Sequence, residues 1–179
     1  VLAVWGVLLA INLRGARGMP GVVLHGWGAV ASLFVLIASA AALVALWNGL
    51  PLPWGRDSAR AVHAAAGVLG VMGLLLLGLS TILLPMFALA PVPDEGVQQR
   101  SGVAACAALG LMAVAAFVPA ASNAALALRV AALVSAAWAL ALHARAMQRL
   151  LASGMRSDLG RSGRLFRIGW GGAALALVF

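Results

Sequence analysis

An all-α, polytopic bundle of about six transmembrane segments, with the first and last truncated, is the fold this sequence predicts. Composition is the first reason. Of 179 residues, 64% are hydrophobic and only 9% are charged, whereas a soluble domain carries about 25% charged residues. Run length is the second, since several stretches stay apolar for the roughly 20 residues needed to cross a hydrocarbon layer. The third is where the charge collects. All twelve basic residues are arginines, and six of them lie between Arg145 and Arg167, a pattern that sets topology before it suggests nucleic acid. No aromatic platform or basic face on a soluble fold accompanies it, so a nucleic-acid partner is not expected. Residues 1–179 read as one transmembrane helical domain. Val1 and Phe179 both fall inside apolar runs, so the expectation is a piece of a longer membrane protein.

Residues 1–13 read as the end of a first helix, closed by the basic turn 14–20, where Gly and Pro break the helix. A second helix spans about 21–48 without formal charge and holds His25; Trp47 and Trp54 bracket its exit, as interfacial tryptophans do. A loop follows, with Ser58 placed to cap the third helix. That helix is the long stretch 60–91, with Pro85 expected to kink its far end. The polar segment 91–100 leads to a fourth helix over 101–118. The turn 119–123 leads to a fifth over 124–150, which carries Arg129 and His143. A basic, glycine-containing segment then precedes a sixth helix near Ile168. The arginine-rich connections 14–20 and 151–167 fall on one side. The positive-inside rule makes that side cytoplasmic, together with 91–100, in a multi-pass protein of a cell inner membrane. The 49–60 loop and the 119–123 turn face outward.

Within the third helix, His63, Gly67, Gly70, Leu74, Leu77 and Thr81 share one face at helical spacing. A coordinating side chain above two glycines leaves room for something flat, either a neighbouring helix or a planar cofactor. Ionisable groups at membrane depth default to functional hypotheses, and there are four: His25, His63, Arg129 and His143. At about 1.5 Å per residue, His63 and Arg129 lie near the outer surface, and His25 and His143 near the inner one. Neutral histidine is the usual protein ligand of haem iron, and arginine pairs with carboxylates such as the haem propionates. His63 as axial ligand, Arg129 as propionate anchor and Gly67 and Gly70 as the slot therefore make one coherent outer site. His25 and His143 make a second, bis-histidine or copper-like site. Each feature also has a plainer reading. The histidines can sit in the headgroup layer, Arg129 can snorkel outward, and the glycines can serve close helix packing. The single Cys106 excludes an internal disulfide and a multi-cysteine cluster. No paired intramembrane carboxylates point to ion-coupled transport.

The run His63-Ala-Ala-Ala-Gly67-Val-Leu-Gly70-Val-Met-Gly73, followed by Leu83-Leu-Pro-Met-Phe87, resembles bacterial polytopic membrane proteins distantly related to the catalytic subunit of haem-copper oxidases. The segment Met155-Arg-Ser-Asp-Leu-Gly-Arg161 before a new helix is similar to theirs as well. The resemblance implies haem, with His63 as ligand, and copper. It also implies a role in respiratory electron transfer or nitric oxide or oxygen chemistry, with a redox partner or other membrane subunits. The chain has no tyrosine, so it implies a haem-carrying relative rather than a complete oxygen-reducing centre. The alternative is a cofactor-free membrane component, permease-like or a structural subunit of a membrane complex. A solvent of lipid is common to both.

Overall fold

The computed structural model describes residues 1–16, 18–155 and 160–175. Six helices and no strand occur among them: α1 (Leu2–Gly15), α2 (Pro20–Trp47), α3 (Arg56–Ala88), α4 (Glu95–Ala115), α5 (Asn123–Ser153) and α6 (Gly160–Leu175). Arg17 and residues 156–159 of the basic connection lie outside the described residues, as does the predicted cut at Phe179.

Three of these helices, α2, α3 and α5, are long and apolar enough to cross a membrane, against about six segments expected from the sequence. The remaining three fall short for identifiable reasons. The helix α1 has 14 residues and α6 has 16. The helix α4 has 21, but it begins six residues earlier than its hydropathy predicts and so takes in Glu95, Gln98, Gln99 and Arg100. Its start is set by a cap that hydropathy does not see: the Asp94 carboxylate accepts from Val97 N–H at 2.9 Å, satisfying a free donor of the first turn. The helix α3 also starts early, at Arg56 after an extended Gly55, which puts Ser58 inside the helix rather than at its cap. Likewise α6 begins at Gly160, not near Ile168.

Consecutive helices reverse direction, and three turns collect at one end. There the Gly21 N–H donates to the Glu95 carboxylate at 2.9 Å, and Gly154 lies against the Ala88 carbonyl. Trp54 packs edge-on against Phe117 at the opposite end, with 5.8 Å between centroids. The Arg56 guanidinium also sits 5.8 Å from the Trp47 ring there.

The helix α2 is the hub, touching α1, α3 and α4. Its small residues set the contacts. Gly26 meets Leu13 of α1, and Gly28 meets Leu74 of α3 and Cys106 of α4. Against α3 it runs antiparallel in a continuous register: Ser39 by His63, Leu36 by Gly67, Ser32 by Gly70, Gly28 by Leu74 and His25 by Gly78. The central stretch Ala65–Gly73 of α3 is a π-helix, a rare form that tends to occur at functional sites. Across it the contact face continues to Gly78 rather than to Leu77. The helices α4 and α5 form the other extensive pair. Its seam is almost all alanine. Ser101, Ala108 and Ala115 are buried on one side, and Ala125, Ala132 and Ala139 on the other, both at seven-residue intervals. The Ser101 hydroxyl donates to the Ala139 carbonyl at 3.0 Å, which pins the antiparallel register. Leu and Val side chains meanwhile point outward along the same helices. Small residues inside and large apolar ones outside is the arrangement of helices packed in lipid.

Candidate functional site

A buried polar layer crosses the bundle where α2, α3, α4 and α5 converge. His25 is 1% exposed and His143 is 3% exposed, and both are enclosed by protein. Glycines make the room for His25. An added Cβ would stand 3.0 Å from the His25 Cβ at Gly78 and 3.0 Å from its Cε1 at Gly102. The ring is therefore held between α3 and α4 backbone.

The hydrogen bonds fix the tautomers. His25 Nδ1 is 2.7 Å from the Gly21 carbonyl. A carbonyl can only accept, so Nδ1 carries the proton and Nε2 presents a lone pair. That Nε2 is buried and has no hydrogen-bond partner among the described residues. His143 Nε2 lies 3.0 Å from the Ser80 hydroxyl. The single Ser80 hydroxyl proton goes to the Leu77 carbonyl at 2.9 Å, so His143 Nε2–H is the donor and Nδ1 keeps the lone pair. His25 lies against Gly78 of α3, and His143 bonds to Ser80 two residues further along the same helix. Trp170 of α6 closes over His143 edge-on, with 6.1 Å between centroids. Below this layer Leu84, Ala88, Met147 and Leu150 form an apolar cluster that Phe166 and Trp170 cover.

His63 sits on α3 near the opposite end, half-buried. Its Nδ1 lies 3.3 Å from the Leu36 carbonyl and 3.2 Å from the Ser39 hydroxyl. The Ser39 proton is itself given to Leu36 O at 2.9 Å. His63 Nδ1–H is therefore the donor, and Nε2 is left as an acceptor. Gly67 and Gly70 below it face Leu36 and Ser32 of α2 at packing distance. The flat thing beside these glycines is a neighbouring helix. Arg129 is exposed on α5, and the Arg56–Gly73 part of α3 makes no contact with α5. The structure thus does not bring Arg129 to His63, nor does it give Arg129 and His143 one common buried face.

The two histidines that the structure encloses are His25 and His143, on helices separated in sequence by two others. Ser80, Thr81, Ser101 and Gln98 are further buried polar residues of α3 and α4; sequence reading placed Thr81 on the face of His63 and passed over the others. The signal was present as hydroxyls within otherwise apolar helices, but such hydroxyls can bond their own helix. Thr81, for example, donates to the Gly78 carbonyl at 2.7 Å. No cluster of three or more His, Cys, Asp or Glu side chains occurs among the described residues. No family model matches the chain, and neither a curated protein nor a solved structure is significantly similar to it.

Proposed function

We propose that this is a membrane protein of six crossing helices that binds redox metal, with copper at His25 and His143 and haem at His63, and serves respiratory electron transfer or nitric oxide or oxygen chemistry. One observation carries the reading: two enclosed imidazoles share one buried polar layer, His25 against Gly78 and His143 against Ser80 of α3, each held through a ring N–H and each with a lone pair left over. A buried polar atom without a partner calls for an explanation. A ligating histidine that gives its other N–H to a carbonyl is the usual outer arrangement of a metal site, and imidazole suits copper, zinc and iron. Gly78 and Gly102 close on His25 and leave no slot for a macrocycle, so a single ion suits the inner pair. His63 has the same anchoring through Nδ1 and a half-exposed ring, which suits it to haem on the flank of the α2–α3 pair. Arg129 belongs to neither site. The excess of arginine at the end holding connections 14–20, 91–100 and 151–167 supports a cytoplasmic, inner-membrane placement of that end.

The close packing of Gly67 and Gly70 on α2 favours a second reading, a cofactor-free packing subunit or permease-like protein. Oxidised and dithionite-reduced absorption spectra, with elemental analysis, separate the two on protein purified in mild detergent from cells supplied with haem and copper. The expected result is a Soret band that His63→Ala removes, and copper that His25→Ala removes. A featureless spectrum with no bound transition metal would reject both metal sites and leave the packing subunit.

A further inference from the structure

We infer that the cleft between α4 and α5, at the end where the 89–94 connection packs, is a binding site for an anionic phospholipid headgroup. Pro91 to Asp94, the first turns of α4 and the last three turns of α5 enclose a cleft of about 470 Å³. Three guanidiniums rim it: Arg100 from α4, and Arg145 and Arg149 one turn apart on α5. Its wall is apolar, built by Leu142, Ala146 and Leu150 along the same face of α5. A rim of positive charge over an apolar wall at a helix end matches one molecule with a phosphodiester head and acyl chains.

The charge in the cleft is net positive, three guanidiniums against one carboxylate. Asp94 also lines it, but its carboxylate caps α4 through Val97 N–H at 2.9 Å. Glu95 nearby is held by the Gly21 N–H at 2.9 Å. Among the described residues the sole ion pair is Arg60 with Asp57, at the other end of the bundle. All three rim arginines are exposed, and Arg149 stands four residues before the end of α5. At about 1.5 Å per residue that is the depth of a headgroup rather than of the hydrocarbon centre. Basic pockets between helices at such a boundary recognise anionic headgroups, and arginine grips phosphate by paired N–H groups. The inference needs no metal at His25, His63 or His143.

Native mass spectrometry of the full chain, released from detergent with equal amounts of phosphatidylglycerol and phosphatidylcholine, tests it. Phosphatidylglycerol should be retained preferentially, and 0.5 M salt should weaken that preference in the unmodified protein. Replacing Arg100, Arg145 and Arg149 together by glutamine should reduce the preference by on the order of 100-fold, at about fivefold per arginine. The Arg56→Gln/Arg60→Gln variant at the opposite end should keep it. If the triple variant does not fold, Arg145→Gln and Arg149→Gln singly should each show the fivefold loss. Equal retention of both lipids, or a preference unchanged in these variants, overturns the proposal. So does displacement of phosphatidylglycerol by millimolar inorganic phosphate, which would make a free anion the ligand.

Discussion

His25 illustrates how a single side chain is positioned by what its neighbours lack. Two glycines on two different helices press on its ring, so the tolerance of the site is set by one methyl group. Gly102→Ala places a Cβ 3.0 Å from His25 Cε1 and 3.2 Å from its Nδ1. The ring cannot turn away without losing its 2.7 Å bond to the Gly21 carbonyl. Overpacking of this kind costs about 1–3 kcal/mol. We expect a lower midpoint in thermal unfolding in detergent and, under the proposed copper site, a parallel loss of metal. At Gly110, where an added Cβ meets nothing within 4 Å, the same change should leave both untouched. Equal effects at the two positions would mean that the bundle does not close on His25 in the way described. Residue-level chemistry was only half readable in advance. The four ionisable groups stand out of an apolar sequence, but their partners do not. Ser80 and Ser39 look like ordinary small residues until a histidine on another helix lies beside them.

At the scale of the helix, the ends carry the surprises. The helix α3 stops at Leu89, which adopts a left-handed conformation with φ +50°, and Ala90 N–H closes the turn on the Pro85 carbonyl at 3.0 Å. A residue with a Cβ loses about 1–2 kcal/mol there. Leu89 is 52% exposed, so little packing offsets the loss. Leu89→Gly should therefore stabilise the protein by about 1 kcal/mol, read as a raised unfolding midpoint. An unchanged or lowered midpoint would mean that the leucine side chain anchors the turn. Helix existence was legible because apolar length and period are local properties. Helix starts were less so. Hydropathy treats Glu95, Gln98 and Gln99 as loop, whereas the Asp94 cap and the burial of Gln98 against α2 draw them into α4. The π-helix over Ala65–Gly73 had only its glycines as a signal, and glycines in an apolar helix equally announce plain close packing.

The whole molecule gathers most of its arginines at one end, and this polarity can be tested directly. In a Cys106→Ala background, Val92→Cys should resist a membrane-impermeant maleimide in intact cells and react in inverted vesicles. Ala121→Cys should do the reverse. Val92 is 50% exposed and Ala121 is exposed at the opposite end, so either thiol is reachable. Labelling of both from one side would sink the up-and-down arrangement across a membrane. A clean reversal would sink only the orientation, since the arginine bias is worth about 1 kcal/mol per charge near an anionic surface and can be outvoted by helices outside this chain.

What the amino-acid sequence determined unaided was the solvent and the class: helices, apolar on their outer faces, with arginines gathered in the connections. Those properties follow from composition and from periodicity within one helix, because a bilayer forces each segment to satisfy its own backbone. Only the tertiary structure decided which faces meet. Spacing along α3 aligned His63 with Gly67 and Gly70, but the glycines serve α2, and Arg129 stays on a helix that this part of α3 does not reach. The histidines that packing encloses are His25 and His143, on helices with two others between them. Packing in lipid is governed by where small residues let backbones approach, and that choice depends on every helix at once.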